Sequence, residues 1–261
     1  MTKKRALLLS TVSVLGILSG AAFGAPVVEA IHATVQPIPS PTVSPTPNPV
    51  LWQIPANADL MAQSAPDGPV VFKFKRSDEV VGDLRTITSA YTTPEGEPVI
   101  TERAVLKGGH LLEASFVQRQ INEDGKVWVE DGKTRFEYHK LGKTVTDSEK
   151  LRDNLVVPLT IPDFIFDHWD ELLADKPIDL RIALVERQET VGIHLEKIRD
   201  NPTEITFLLS ANSVFVALFA PTVEVTYDRA TRRMLKTTSP VPARVLEKGK
   251  WVGLRSIMKT R

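Results

Sequence analysis

Residues 161–175 read IPDFIFDHWDELLAD, and this stretch decides the predicted fold because its rhythm differs from that of the flanking chain. At 100° per residue, one side of a helix would carry eight mostly apolar side chains within an arc of about 200°. These are Ile161, Phe164, Ile165, Phe166, His168, Trp169, Leu172 and Leu173. Asp163, Asp167 and Glu171 fall on the opposite side, where we expect solvated acids. The stretch therefore predicts one amphipathic helix.

An apolar arc of this width predicts a helix that is surrounded rather than laid on a flat surface. The flanking chain alternates with a period of two, as half-buried strands do; in Val71–Lys75, for example, Phe72 and Phe74 share one face. We therefore predict a mainly β (α+β) fold, in which a curved antiparallel sheet or half-barrel wraps around one central helix. Further strands are expected at 112–119, 179–185, 192–198, 204–209, 222–227, 234–238 and 251–257.

Two Asp-Gly dipeptides, Asp124-Gly125 and Asp131-Gly132, predict a meander of three strands. Asp-Gly accepts the positive φ of the tight turns that join antiparallel strands. Two-residue turns would place Glu123 opposite Lys126 and Glu130 opposite Lys133. Each pair joins opposite charges, which favours this register.

The N-terminus predicts export. Lys3, Lys4 and Arg5 precede an uncharged, Ala- and Leu-rich stretch from 6 to 28, which is typical of a signal peptide. We expect a signal peptide at 1–24, with cleavage as late as residue 30. The alternative is an uncleaved anchor, because the stretch is long enough to span a bilayer. Both readings predict an exported protein of the periplasm or cell envelope, either secreted or anchored to the inner membrane.

Proline content suggests where the folded domain begins. Residues 37–49 read PIPSPTVSPTPNP, a composition typical of an extended spacer. We therefore expect a proline-rich, disordered linker at 25–66 and a single β-rich globular domain at 67–261. The uncharged stretch 205–223 is interrupted by Ser210, Asn212, Ser213 and Pro221, which favours a strand and a short buried segment over a membrane span.

No catalytic or cofactor motif emerges from the 261 residues. Cysteine is absent, which excludes disulfides, thiolate metal sites and cysteine nucleophiles. The five histidines form neither His-x-His nor His-Glu-x-x-His, and His168 is interpreted as a hydrogen-bonded core residue. We expect a protein that is not an enzyme, with no catalytic residues, metal ligands or cofactor.

The net charge of zero conceals a basic C-terminal region. Residues 229–261 contain ten Lys and Arg residues but only one acidic residue, Glu247. If several project from one sheet face, they would attract an anionic membrane surface or an acidic protein partner. The residues chosen for this surface are Arg229, Arg232, Arg233 and Lys236. Nucleic acid is not expected as a partner, and the oligomeric state stays open.

Residues 223–235, VEVTYDRATRRML, resemble the late strand–turn–strand of the LolA/LolB-like envelope half-barrel proteins and of related secreted β-rich bacterial families. The resemblance implies a cavity between sheet and helix that accepts acyl chains or another apolar group. It transfers no functional residue, and the missing lipidation cysteine departs from the LolB side of the family. The candidate lining residues are Phe116, Trp128, Phe136, Phe164, Ile165 and Trp169. A packed core without a cavity would use the same residues.

Two functions follow as hypotheses. The first is a non-catalytic exported envelope protein that binds a lipid or another hydrophobic ligand between sheet and helix. The second is a structural or interaction module that docks a membrane or an acidic partner through its basic C-terminal surface. An uncleaved N-terminal anchor would be compatible with the second hypothesis.

Overall fold

The structure, a computed structural model, describes residues 54–212 and 222–260. In these residues, fifteen strands form one sheet. The strands are β1 (Asn57–Ala62), β2 (Phe72–Val81), β3 (Leu84–Thr92), β4 (Pro98–Lys107), β5 (His110–Gln118), β6 (Glu123–Glu130), β7 (Lys133–Lys140), β8 (Lys143–Lys150), β9 (Leu155–Val156), β10 (Ile178–Leu184), β11 (Glu189–Asp200), β12 (Glu204–Ala211), β13 (Val223–Asp228), β14 (Met234–Glu247) and β15 (Lys250–Thr260).

The sheet order runs from β8 back to β1 and then from β15 back to β9. Chain neighbours therefore pair as antiparallel hairpins along most of the sheet, and β1 pairs with β15 to join the two halves. The sheet is open, with β8 and β9 as its edges. Because β9 also contacts β5 and β8 contacts β11, the two halves curve toward each other. The predicted curved antiparallel sheet is confirmed.

The helical segment lies against the inner face of this sheet. A 3₁₀ turn at Pro158–Thr160 leads into α1 (Ile161–Asp167), which is followed by α2 (Trp169–Leu173). At His168 between them, φ is −108° and ψ is 18°, outside the helical range. The His168 ring stacks on Phe164 at 4.2 Å and its Nδ1 lies 3.1 Å from the Phe164 carbonyl oxygen. The predicted single helix is thus two short helices that meet at a hydrogen-bonded histidine.

The alternation of β2 follows the prediction. Phe72 is buried and Phe74 is half-buried, whereas Lys73 and Lys75 are exposed. The inner face of the sheet and the apolar side of the helices form the main core. A second, smaller core lies between β3–β7 and the segments around Val157 and Val185.

The described sheet begins before residue 67, the start that the sequence analysis predicted for the domain. Strand β1 lies within the segment assigned to the linker, and it pairs with both β2 and β15. Its Ala58 and Leu60 are buried in the main core. Residues 1–53, with the predicted leader and the proline-rich stretch, lie outside the described residues.

The uncharged stretch 205–223 contains most of β12 and the first residue of β13. Its predicted short buried segment falls on 213–221, which lie outside the described residues. Among the residues that the structure does describe, we find no helix with the length and apolar character needed to cross a membrane.

The two Asp-Gly dipeptides have different roles. Asp131-Gly132 forms the predicted turn between β6 and β7, with both residues at positive φ and Glu130 opposite Lys133. The prediction of a turn at Asp124-Gly125 is wrong, because both residues lie inside β6. A Cβ on Gly125 would lie 2.6 Å from Val185 Cγ1 and 2.9 Å from the Glu137 carbonyl oxygen. This glycine allows close packing rather than a turn.

Candidate functional site

The space beside Trp169 is filled by aromatic rings. Trp169 is 2% exposed and meets Phe207 and Tyr227 edge-to-face, with ring centroids 5.4 and 5.2 Å away. Ile165 is fully buried in the same core and Phe164 packs at its margin. These three predicted lining residues therefore belong to a packed core.

The other three predicted lining residues lie on β5, β6 and β7. Phe136 is fully buried in the second core, with Phe116 packed against that core. Trp128 lies on the outer face, where the Lys126 ammonium group is 5.0 Å from its ring. The period of two explains this placement, because the neighbouring Val127 is fully buried on the inner face. The structure thus does not bring the six residues together around one pocket.

Two neighbouring cavities lie instead between the sheet and the segment around Pro158. The larger has a volume of about 330 Å³ and the smaller about 140 Å³. They share the wall formed by Glu102, Pro158, Leu159, Pro240, Val241 and Pro242. Phe116, one of the six predicted lining residues, borders the larger cavity together with Ala114, Ala183 and Val185. The smaller one reaches Phe74, Ile161, Val225 and Met258.

Short side chains and prolines explain why this region is open. Ala114 and Ala183 are buried on the walls of the larger cavity but do not extend far into it. Pro158, Pro240 and Pro242 have no backbone N–H, so they can border an apolar space without leaving a donor unpaired.

Residues 240–242 border both cavities, and the stretch 240–244 is hydrogen-bonded to the end of β5 and the residues after it. The Gln118 side-chain amide donates a hydrogen bond to the Pro242 carbonyl oxygen at 3.0 Å. Gln120 exchanges two hydrogen bonds with the backbone of Arg244, at 2.7 and 2.8 Å. The pairing of β14 with β15 shifts register between Val241 and Arg244, which frees this stretch to bend toward β5.

Glu102 is the polar group on the wall that the cavities share. It lies on β4 in phase with the buried Ile100 and Ala104, so its side chain points inward. The Ser89 hydroxyl donates to Glu102 Oε2 at 2.7 Å. Burial raises the pKa of Glu102, the Ser89 hydrogen bond opposes this shift, and the charge of Glu186 adds to it. Burial, and secondarily the Glu102 charge, also raises the pKa of Tyr91.

Glu102 was not among the predicted site residues. The signal was present, because Ile100, Glu102 and Ala104 alternate with Thr101 and Arg103. A carboxyl group on the apolar side of a strand is unusual and marks a candidate functional residue.

Asp163 corrects the prediction of a solvated acidic face on the helix. Its side chain is 4% exposed and lies 2.9 Å from the Arg76 guanidinium and 2.6 Å from that of Arg85. Arg85 also pairs with Asp78, which completes a network of two positive and two negative side chains. Helical periodicity shows which residues share a face, but it cannot show that strands β2 and β3 bring two arginines to that face. Asp167 and Glu171 are exposed, as predicted.

The predicted basic surface is partly neutralised. Arg229 forms an ion pair with Asp200. Arg232 lies 3.4 Å from Asp170 and 5.4 Å from the centroid of the Trp169 ring. Arg233 and Lys236 are exposed. Arg229 and Arg232 are therefore engaged in contacts within the protein.

The geometry is suited to binding an apolar group next to a single shared carboxyl. Among residues 54–212 and 222–260, no group of three or more His, Asp or Glu side chains is placed to hold a metal ion. No family model matches the chain, and neither the curated proteins nor the solved structures contain a match to it.

Proposed function

We propose that this chain is a non-catalytic, exported envelope protein that binds a lipid or another apolar ligand. The binding site is the pair of cavities bordered by residues 240–242, not the packed space beside Trp169. The leader-like sequence of residues 1–30 supports export.

The pair of cavities is the observation that carries this proposal. The larger cavity, at about 330 Å³, lies at the lower end of the roughly 300–1,000 Å³ typical of ligand pockets. Its walls are mostly apolar, and ligand pockets commonly combine such walls with a few well-placed polar groups. Glu102, which accepts a hydrogen bond from Ser89, supplies such a group here.

The test is a fluorescence titration with N-phenyl-1-naphthylamine, a neutral apolar probe, together with native mass spectrometry of protein purified without detergent. We expect saturable probe binding and a co-purified ligand. Ala114→Leu should fill part of the larger cavity and weaken probe binding by about tenfold, which is 1.4 kcal/mol.

Ala174→Leu is the matched control, because Ala174 is exposed after α2 and lines neither cavity. It should leave probe binding unchanged. The unfolding midpoint of each variant shows whether it is folded. Absence of probe binding to the native protein, or unchanged binding by a folded Ala114→Leu variant, would reject the proposal.

A further inference from the structure

Two positive and two negative side chains line the two cavities, but they differ in whether they have ion-pair partners. They are Arg76, Glu102, Arg103 and Glu186. The Arg76 guanidinium is already paired with Asp163, and the Arg103 guanidinium pairs with Glu113, whose side chain is 53% exposed. Within the described parts of the chain, neither Glu102 nor Glu186 has an ion-pair partner. Both carboxyl groups are therefore available to a bound molecule.

The two carboxyl groups without ion-pair partners favour one charge of head group on a bound amphiphile. An anionic head group at the shared wall would be repelled by the Glu102 carboxyl group there and by the exposed Glu186 at the larger cavity. A cationic head group would compensate both. A neutral hydroxyl could hydrogen-bond to Glu102 but would gain no charge attraction.

The size of the cavities restricts the apolar part of the ligand. Volumes of about 330 and 140 Å³ suit one hydrocarbon chain better than the two chains of a phospholipid. The larger cavity offers Phe116, Leu159 and Val185 to such a chain. Glu102 lies on the wall that this cavity shares with its neighbour, so the head group would be next to the carboxyl.

We propose that the ligand is a single-chain amphiphile with a cationic, amine-type head group, held with that group against Glu102 and on the side of Glu186. This inference rests on the proposed function and specifies its ligand class. Glu102, whose carboxyl group is held by the Ser89 hydroxyl, orients the head group, and the apolar walls accommodate the chain.

The experiment compares decylamine, decanol and decanoate, which share a ten-carbon skeleton and differ in the charge of the head group. Isothermal titration calorimetry at pH 7 and low salt, below the aggregation concentration of each probe, measures the three dissociation constants. We expect decylamine to bind most tightly, decanol less tightly, and decanoate at least about tenfold more weakly than decylamine.

Glu102→Gln keeps the size and the hydrogen bond acceptor for Ser89 but removes the charge. It should weaken decylamine binding by about tenfold, leave decanol binding nearly unchanged and reduce the preference over decanoate. Glu79→Gln is the matched control, because it makes the same charge change on an exposed side chain of β2 that lines neither cavity. It should change none of the three affinities.

Each outcome separates this inference from the proposed function. If decanoate binds as tightly as decylamine, or if Glu102→Gln leaves their ratio unchanged, the cationic head group is wrong while the binding cavity stands. If none of the three probes and no N-phenyl-1-naphthylamine binds, the proposed function fails as well.

Discussion

The two ends of the helical segment pack differently against the same sheet: the C-terminal end leaves no space, and the N-terminal end leaves cavities. At the C-terminal end, Trp169 contacts two other rings and no room is left beside it. At the N-terminal end, the chain around Pro158 and Leu159 borders two cavities. One curved sheet thus contains a packed half and an open half, and the size of the inward side chains decides which half is open.

The side-chain types at the two ends of the helical segment explain this difference in packing. Large rings in edge-to-face contact fill space and add favourable quadrupole interactions. Alanine and proline leave space, and a carboxyl group in that space is an energetic cost that a packed core would avoid. The comparison indicates that the packed end gives stability, whereas the open end is where we propose that a ligand binds.

The largest effect that we expect is the loss of stability on removing Trp169 from the packed end. Trp169→Ala removes a buried ring that contacts both Phe207 and Tyr227. It should lower the free energy of unfolding by about 3–5 kcal/mol. Urea denaturation followed by far-ultraviolet circular dichroism measures the change. Trp128→Ala, on the outer face, should cost about 1 kcal/mol or less. Equal losses in both variants would contradict the assignment of Trp169 to the packed core.

A smaller loss of stability is expected at Gly125, which lies against Val185 on the wall of the larger cavity. Gly125→Ala adds a methyl group within 2.9 Å of the Glu137 carbonyl oxygen, which cannot move freely because it belongs to β7. We expect a loss of about 1–3 kcal/mol in the same denaturation assay. Gly253→Ala serves for comparison, since a Cβ there meets open space. A Gly125→Ala variant as stable as the native protein would show that the larger cavity absorbs the added group.

The smallest effect depends on pH. Because the pKa of Glu102 is raised in the folded state, the folded protein keeps this proton to a higher pH than the unfolded chain does. The free energy of unfolding therefore falls as pH rises from the unfolded pKa, about 4.3, to the folded one. Glu102→Gln lacks this fall and should be the more stable protein at pH 7, with the difference disappearing toward pH 4.

Urea midpoints of the native protein and Glu102→Gln at pH 4, 5.5, 7 and 8.5 measure this difference. Glu113→Gln, on the outer face, should show no comparable gain at neutral pH. Parallel pH curves for the native protein and Glu102→Gln would mean that Glu102 has no raised pKa in the folded state.

Some residues of the candidate site could be predicted from the sequence, and others could not. Phe116 was predicted on the cavity wall, and Glu102 could have been found from its phase with Ile100 and Ala104. The cavity itself could not, because Ala114, Ala183 and Pro240 come from distant parts of the chain. The same limit applies to Asp163, whose partners Arg76 and Arg85 are 87 and 78 residues away.

The two Asp-Gly dipeptides show how local signals become ambiguous. Both satisfy the rule for a tight turn, and both placed opposite charges in register, yet only Asp131-Gly132 turns. Gly125 is instead needed because Val185 and β7 approach it closely. A glycine that permits positive φ and a glycine that permits close packing look identical in the sequence.

By itself, the sequence determined the class of the fold: alternating residues specify strands with one apolar face, and the wide apolar arc at 161–175 specifies a helical segment that such a sheet must cover. These are periodic properties of neighbouring residues, and backbone geometry converts them directly into faces. The tertiary structure alone decided which half of the interior is filled and which charges meet, because packing and ion pairing depend on the volumes and positions of side chains that are distant in the chain.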